Sequence, residues 1–320
     1  MLQLIIIIII ICNNNKTIEN MYEKIMFSRS SKKSANLADF FLIYILLKFN
    51  SIYAMITVSK VIRNEFKMQG KTSKQSDKVS VIIPMYNAEK YIKQAIDSVR
   101  KQSYDNIEII CIDDASTDNS LKIAKKKLNE QDKLIIFSKN NGVAKARNEG
   151  IEHATGRYIA FLDADDFWEQ EKLEEQIHFM KEKQASFCYT GFYYLKKQKE
   201  KRVYVPAKQN YKQALKNTII LTSTVMIDTK IINKNELYMP NIKSEDMATW
   251  WRLLKKNDFA YGINKALTYH RVGIKSLSSD KFKNLKYTWL LYRKQEKLKL
   301  IPSIYYFNYY IWNALRKRIN

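Results

Sequence analysis

Apolar positions along this chain change period repeatedly between residues 79 and 162, and period is what separates a strand from a helix. Residues 79–83 (VSVII) are a short β-branched run stopped by Pro84, as a buried strand reads. Over residues 88–101 the apolar positions Ala88, Ile92, Ala95, Ile96 and Val99 fall three or four apart, one face of an amphipathic helix. Residues 107–112 form a second apolar run that ends abruptly at Asp113-Asp114. The alternation continues with a helix over 119–128 and a strand over 134–137. A helix over 143–153 follows, opened by Asn140-Asn141-Gly142, and then a strand over 158–162 that ends in Asp163-Ala164-Asp165-Asp166. Strands alternating with helices predict βαβ units, parallel strands and a doubly wound α/β sandwich.

Beyond residue 168 this rhythm is lost. The pattern predicts a charged helix over 169–183, β-like stretches over 185–195 and 218–227 with a turn and a short helix between them, a helix over 247–256 and a strand over 263–272. That is a mixed second subdomain. The last forty residues differ again, with ten Lys/Arg against the single acid Glu296. Aromatic residues (Trp289, Tyr292, Tyr305, Tyr306, Phe307, Tyr309, Tyr310 and Trp312) lie among them. Ile304, Ile311, Leu315 and Ile319 share a helical face beside Arg316, Lys317 and Arg318. Such a helix either lies in a membrane interface or packs its apolar face on the domain, and the two are compatible.

Upstream of the first strand, residues 1–11 are nearly all Ile and Leu, too short a run to span a bilayer, with no basic start or cleavage site of a signal peptide. Residues 37–58 are partly apolar but interrupted by Asp39, Lys48 and Asn50. They read as an interfacial helix, or else residues 1–67 precede a working protein that begins near Met68. Four segments result: an extension over 1–77, a first half over 78–168, a second half over 169–280 and a basic aromatic tail over 281–320.

At 320 residues and 46% hydrophobic content, the chain can bury one large or two modest cores. Cys12, Cys111 and Cys188 are odd in number and far apart, so neither a disulfide frame nor a zinc site is supported; Cys111 sits in an apolar run and is expected as a buried thiol. A reducing cytoplasm fits. The net charge of +23 favours anionic partners. No nucleic acid is expected, since no helix-turn-helix, RNP-like or finger spacing occurs. The Gly-rich fingerprints of dinucleotide and P-loop sites are absent too.

Open parallel sheets bind ligands beyond the carboxyl ends of their strands. Here those ends are Pro84-Met85-Tyr86-Asn87 and Asp113-Asp114. Tyr86 offers a flat face to a base and Asp114 offers acceptors to a ring N–H. The competing reading of the acids, with Ser116-Thr117-Asp118, is turn and cap chemistry. Asp163 and Asp165 are alternate residues of an extended segment, so their carboxylates can converge on one hard cation such as Mg²⁺ or Mn²⁺. Otherwise they form an acidic loop before the next helix. Asp246 can take a proton from a hydroxyl, or it and Glu245 simply favour a helix dipole.

Five stretches in order, 79–87 (VSVIIPMYN), 112–120 (IDDASTDNS), 141–150 (NGVAKARNEG), 156–168 (GRYIAFLDADDFW) and 244–246 (SED), resemble the family 2 glycosyltransferases, inverting enzymes with a GT-A fold. The likeness spans roughly residues 78 to 275. It implies a Rossmann-like, mostly parallel sheet flanked by helices, a mixed acceptor-side subdomain and a helical C-terminal tail. It assigns nucleotide-sugar contacts to Pro84, Tyr86, Asn87, Glu89, Asp113, Asp114, Arg147 and Asp163, with Arg147 pairing the acids or the diphosphate. Asp165 becomes the metal ligand with Asp163 beside it, Asp246 the base and Glu245 its supporting neighbour. His270, Arg271 and Lys275 resemble a loop that closes over the donor phosphates, although the family usually has Arg directly after Tyr269 and here His270 intervenes.

The implied activity is transfer of a hexose or N-acetylhexosamine from a UDP-sugar, with Mn²⁺ or Mg²⁺. The acceptor would be a hydroxyl of a glycan or lipid-linked saccharide, in cell-surface polysaccharide or lipooligosaccharide synthesis. The expected location is the cytoplasm, peripherally on the inner membrane through residues 281–320. A nucleotidyltransferase and a nucleotide-sugar-binding protein without turnover are the alternatives.

Overall fold

The structure, a computed structural model, describes residues 77–196, 199–217, 219–272 and 281–319. The expectations for the extension before residue 77, and for Lys275, lie outside the described residues. Strands β1 (Val79–Met85), β2 (Ile107–Asp113), β3 (Lys133–Ile136) and β4 (Tyr158–Phe161) are mutually parallel in the order β3-β2-β1-β4. The chain winds outward from β1 to β3 and then returns to the far side of β1. Strand order therefore reverses between β1 and β4, where an open sheet forms its ligand crevice. Every residue of β1 and β2 is buried, which is why both read as continuous apolar runs.

The crossovers are helices α1 (Ile92–Arg100), α2 (Ser120–Lys127) and α3 (Val143–His153). Helix α1 starts at Ile92, later than its apolar period suggests, because Ala88 to Tyr91 form a turn tied to the next loop through Ala88 N–H to Ser120 Oγ at 2.7 Å. Helix α3 lies unusually close to the sheet. A β-carbon on Gly150 would stand 2.4 Å from Ile82 Cγ2 and 2.9 Å from Ile112 Cδ1, so this contact needs glycine.

Among the described residues, the strands of the second half extend the same sheet. The order continues from β4 through β9 (Val225–Asp228), β6 (Phe187–Lys196) and β10 (Ala260–Arg271) to β5 (Phe167–Trp168). Strand β9 is antiparallel to β4 and β6, whereas β6 and β10 are parallel. The change of rhythm near residue 169 thus marks a change of strand direction. Helix α4 (Lys172–Lys183) begins after Glu169, not at it, because β5 pairs with β10 and Glu169 N–H bonds Leu267 O. Of the β-like stretch at 218–227, Thr222–Thr224 is a 3₁₀ turn and the strand begins at Val225. The short strands β7 (Lys199–Val203) and β8 (Lys208–Gln209) carry no apolar alternation and were invisible to the pattern.

Helices α5 (Tyr211–Lys216) and α6 (Glu245–Lys256) cover this half, and Trp250 of α6 packs on Phe161 and Phe187 with ring centroids 5.9 and 5.4 Å apart. The tail forms α7 (Lys281–Leu290), a π-helical turn (Leu291–Gln295) and α8 (Leu300–Ile319). Tyr292 is fully buried and stacks on Trp251 at 5.3 Å and 3°. Tyr306 and Phe307 pack against the same cluster, so the tail does dock on the domain. Of the face expected to pack, Ile304 is 45% exposed and Ile311 half-buried. Cys111 and Cys188 are buried free thiols.

Candidate active site

All the candidate acids arrive at one edge of the sheet, and strand direction explains why. Strands β1, β2 and β4 present their carboxyl ends there, as does β10, which runs parallel to β6. Strand β9 runs the other way, so the turn that precedes it, Thr222–Thr224, reaches the same edge. Two strand spacings, about 10 Å, separate β2 from β4 across β1.

At the ends of β1 and β2, Tyr86 is 51% exposed while Pro84 is buried inside its strand. Asn87 (φ 48°) and Ala115 (φ 61°) leave their strands in the left-handed region, which non-glycine residues occupy at a cost. The two loops are laced together. Asn87 Oδ1 accepts Thr117 N–H at 2.8 Å, and Asn87 N–H donates to Ser116 Oγ at 3.0 Å. Glu89 Oε2 accepts from both the backbone N–H and Nδ2 of Asn119 at 3.1 Å. Glu89, expected as a nucleotide-sugar contact, thus also clasps the two loops together. Asp113 is buried, with Ser116 N–H at 3.4 Å from its carboxylate. Asp114 accepts Asn141 N–H at 2.7 Å and Gly142 N–H at 2.9 Å, one on each oxygen, and so holds the start of α3. Gly142 at φ 90° turns those amides toward it.

Arg147, on α3, is buried and does not pair with Asp113 or Asp114. It donates from Nη2 to Asp163 Oδ1 and from Nη1 to Glu245 Oε1, both at 2.6 Å. The close seat of α3 at Gly150, one turn later, carries the guanidinium to that position. Burial opposes its charge, but Asp163, Glu245 and Asp246 outweigh it and raise its pKa. Glu245 is itself pushed up by burial, against the pull of Arg147.

Asp166 is the best-held acid of the run. It accepts from Ser223 Oγ at 2.7 Å, from Arg271 N–H at 3.1 Å and from His270 Nδ1 at 3.1 Å. His270 loses charge stability through burial, yet Asp166, Asp163 and Asp165 more than compensate and push it up to about 9. Its ring nitrogen is committed to Asp166. Arg271 donates to Asp165 O, bonds Gln94 Oε1 at 2.5 Å and faces the Tyr91 and Phe167 rings at 4.9 and 4.8 Å. His270 and Arg271, two of the three residues expected to touch diphosphate, thus help to shape the acidic turn.

Asp246 opens α6 behind Ser244, whose φ of 59° is again left-handed. Its Oδ1 accepts Met247 N–H at 2.7 Å and its Oδ2 accepts Thr222 Oγ1 at 3.1 Å. Ser223, next in the chain, also bonds Asp163 N–H at 3.1 Å. A single turn therefore binds the acids of β4 and the acid of α6. Asp165 differs from its neighbours: no described side chain donates to its carboxylate. Burial first, then Asp166 and Asp163, push it up to about 6. A half-buried carboxylate crowded by two others has the donor chemistry a divalent cation takes, and Asp165 with Asp163 are the residues that could hold one.

Residues 80–238 match the family model described as Glycosyl transferase family 2. Over 247 residues, 75% of this chain and 97% of the relative, the chain is 42% identical to the provisionally named teichuronic acid biosynthesis glycosyltransferase TuaG of Bacillus subtilis (strain 168). The chain belongs to glycosyltransferase family 2. This transferase is also 42% identical over 211 residues to an Escherichia coli protein, the UDP-Glc:alpha-D-GlcNAc-diphosphoundecaprenol beta-1,3-glucosyltransferase WfaP, covering 65% of this chain and 82% of the relative. Its fold matches S. aureus TarS solved with UDP-GlcNAc, at TM-score 0.58 and 22% identity over 73% of this chain and 71% of that one. It also matches the mannosyltransferase PcManGT of Pyrobaculum calidifontis solved with GDP-Man and Mn²⁺, at TM-score 0.55 and 17% identity over 72% and 68%. The transferase has the GT-A fold expected of its sequence.

Three residues of the transferase's site escaped sequence reasoning: Asp166, Thr222 and Ser223. Asp166 stood in view as the last acid of DADD. Thr222 and Ser223 had one weak signal, a run of three hydroxyl residues just before the apolar run of β9.

Proposed function

We propose that this transferase moves a hexose or N-acetylhexosamine from a UDP-sugar to a hydroxyl of a lipid-linked saccharide, with inversion, at the cytoplasmic face of the membrane during surface-polysaccharide synthesis. The supporting observation is the chain of bonds Asp163–Arg147–Glu245 and Asp166–Ser223, Thr222–Asp246. It holds the acids suited to a donor diphosphate and the acid suited to an acceptor hydroxyl in one framework. WfaP, by its name, uses UDP-Glc on a diphosphoundecaprenol-linked sugar, and TarS was solved with UDP-GlcNAc. PcManGT was solved with Mn²⁺.

Asp165, with Asp163, would hold the divalent ion, whose chemistry there is Lewis-acid stabilisation of negative charge on phosphate oxygens. Tyr86 stacks on the uracil, and the loop around Asp113 and Asp114 lies at its edge. Asp246 takes the proton of the acceptor hydroxyl as that oxygen attacks the anomeric carbon from the face opposite the diphosphate. Both its oxygens are already oriented, so its free lone pairs point in a fixed direction before the acceptor arrives. Glu245, neutralised by Arg147, keeps a second negative charge away from Asp246.

The test is UDP release across a set of UDP-sugars with a polyprenyl-diphosphate-linked sugar acceptor, with Mn²⁺ and then with chelator. One UDP-sugar should give acceptor-dependent release that chelator abolishes, and the product should carry the anomeric configuration opposite to the donor's. Diphosphate release from a nucleoside triphosphate, or undiminished turnover in chelator, would overturn the reading.

A further inference from the structure

We infer that the outer face of α8 lies in the interface of an anionic lipid bilayer, with the helix axis in the membrane plane. The two faces of α8 have different fates. Inward, Ser303 is fully buried, Tyr306 and Phe307 join the core cluster, and Asn313 Nδ2 donates to Lys216 O at 2.9 Å. Outward, Leu300, Ile301, Ile304, Tyr305, Tyr309 and Trp312 stay exposed, from 42% at Tyr309 to 81% at Ile301. From Ile301 to Trp312 these residues recur three or four apart and form one stripe. A contiguous apolar stripe this long, on a helix already docked by its other side, marks an interaction surface.

Its chemistry selects the occupant. Aliphatic residues with Tyr and Trp suit the depth of lipid headgroups and upper acyl chains. The exposed charges before the stripe, Arg293, Lys294, Lys297 and Lys299, are all cationic. Lys216 stands over the rings of Tyr305 and Tyr309 at 5.0 and 4.5 Å. The one acid of the tail, Glu296, is turned inward, bonded by Lys255 at 2.6 Å and by Tyr211. Anionic headgroups complement such a border, whereas a second copy of the chain would bring the same cations against it. The helix lies on the bilayer and does not cross it, because its inner face is committed to the core. No helix among the described residues is long and apolar enough to span. Tyr292 joins this tail to Trp251, five residues along α6 from Asp246, so docking would also fix the catalytic helix relative to the membrane. That purpose rests on the proposed reaction; the docking does not.

The experiment uses the full chain with vesicles of phosphatidylcholine alone, phosphatidylcholine with phosphatidylglycerol, and the latter containing brominated lipid. The protein should sediment with the anionic vesicles at physiological salt and be released by high salt. Brominated lipid should quench the part of the fluorescence that Trp312→Phe removes, a readout specific to this face. Ile301→Glu with Trp312→Glu should lower partitioning about tenfold, with UDP release to a lipid-free acceptor unchanged. Unquenched Trp312, or a double variant that partitions as the parent does, overturns the inference. So does a concentration-dependent dimer that the double variant abolishes, since the face then belongs to a second copy. Vesicle binding as expected without any sugar transfer would sink the proposed reaction and leave the docking standing.

Discussion

Asp246 carries two oriented oxygens, and the residues that orient them can be separated from this proposed base. Asp246→Asn keeps the shape and removes the basicity, so transfer should fall by roughly 10²–10⁴ while UDP binding, read by calorimetry, stays. Thr222→Val removes only the donor to Oδ2; kcat should fall about tenfold with KM for donor unchanged, and Thr222→Ser should restore it. A second residue-scale prediction concerns the opposite end of the sheet. Glu108 is buried and accepts from Ser80 Oγ at 2.5 Å, Lys78 Nζ at 2.9 Å and Thr155 N–H at 2.7 Å. Burial works against its charge, but these bonds prevail and pull its pKa from 4.5 to about 2. A depressed carboxyl pKa contributes stability that is present above 4.5 and lost as pH falls toward 2, worth about 2 kcal/mol after screening. Glu108→Gln should therefore lower the urea midpoint at pH 6, and the gap to the parent should close as pH drops through that window. Local spacing made Asp163 and Asp165 candidates for one shared cation, whereas Asp246 became a candidate base only through the family resemblance. Their partners were not legible. Ser223 meets Asp166 from 57 positions away only because β9 runs antiparallel beside β4, and no local pattern encodes a neighbour across a sheet.

At the scale of elements, α3 is the tie between the two halves of the site. Its helical period was plain in the sequence, and so was its start at Asn140-Asn141-Gly142. Its partners were not, since they depend on Gly150 admitting Ile82 and Ile112 closely enough for Arg147 to reach both β4 and α6. The fork geometry of Arg147 serves two carboxylates at once, which a lysine cannot do. Arg147→Lys should keep the fold but satisfy only one acid, shifting the pH–rate profile as Glu245 loses part of the pull of Arg147. Arg147→Met leaves two acids unpaired and should cost about 3–5 kcal/mol in urea unfolding. In Arg147→Met with Glu245→Gln the penalty should be smaller than the sum of the two single changes, because the second change removes one of the stranded charges. Additive penalties would show that the pair does not couple α3 to α6. The same dependence on long-range context hid β5, β7 and β8. β5 is two residues long, and β7 reads KEKRV, exposed along almost its whole length on the hairpin with β6. Strands β1, β2 and β4 were readable for the opposite reason, being buried throughout.

For the whole molecule, the question is whether the tail is an appendage or a part of the enzyme. Composition alone left both open, because an amphipathic basic helix looks the same on a membrane and on a core. Packing answers it for the inner face. Tyr292 is fully buried against Trp251, with its hydroxyl donating to Leu215 O, and Tyr306 and Phe307 lie 6.5 and 6.4 Å from its ring. Trp251 belongs to the helix that begins with Glu245 and Asp246. Tyr292→Ala should thus act in two places. Unfolding should cost about 3–5 kcal/mol less, as for other large core truncations. Turnover should also drop more than donor binding does, because α6 loses the support at its middle while Asp114, Asp163 and Asp165 keep theirs. Tyr292→Phe removes only the hydroxyl and should cost about 1 kcal/mol, with turnover close to the parent's. If Tyr292→Ala lowered stability but left kcat untouched, the stacking would be a matter of folding alone. Helix α6 would then be held by Trp250 against Phe161 and Phe187, independent of the tail.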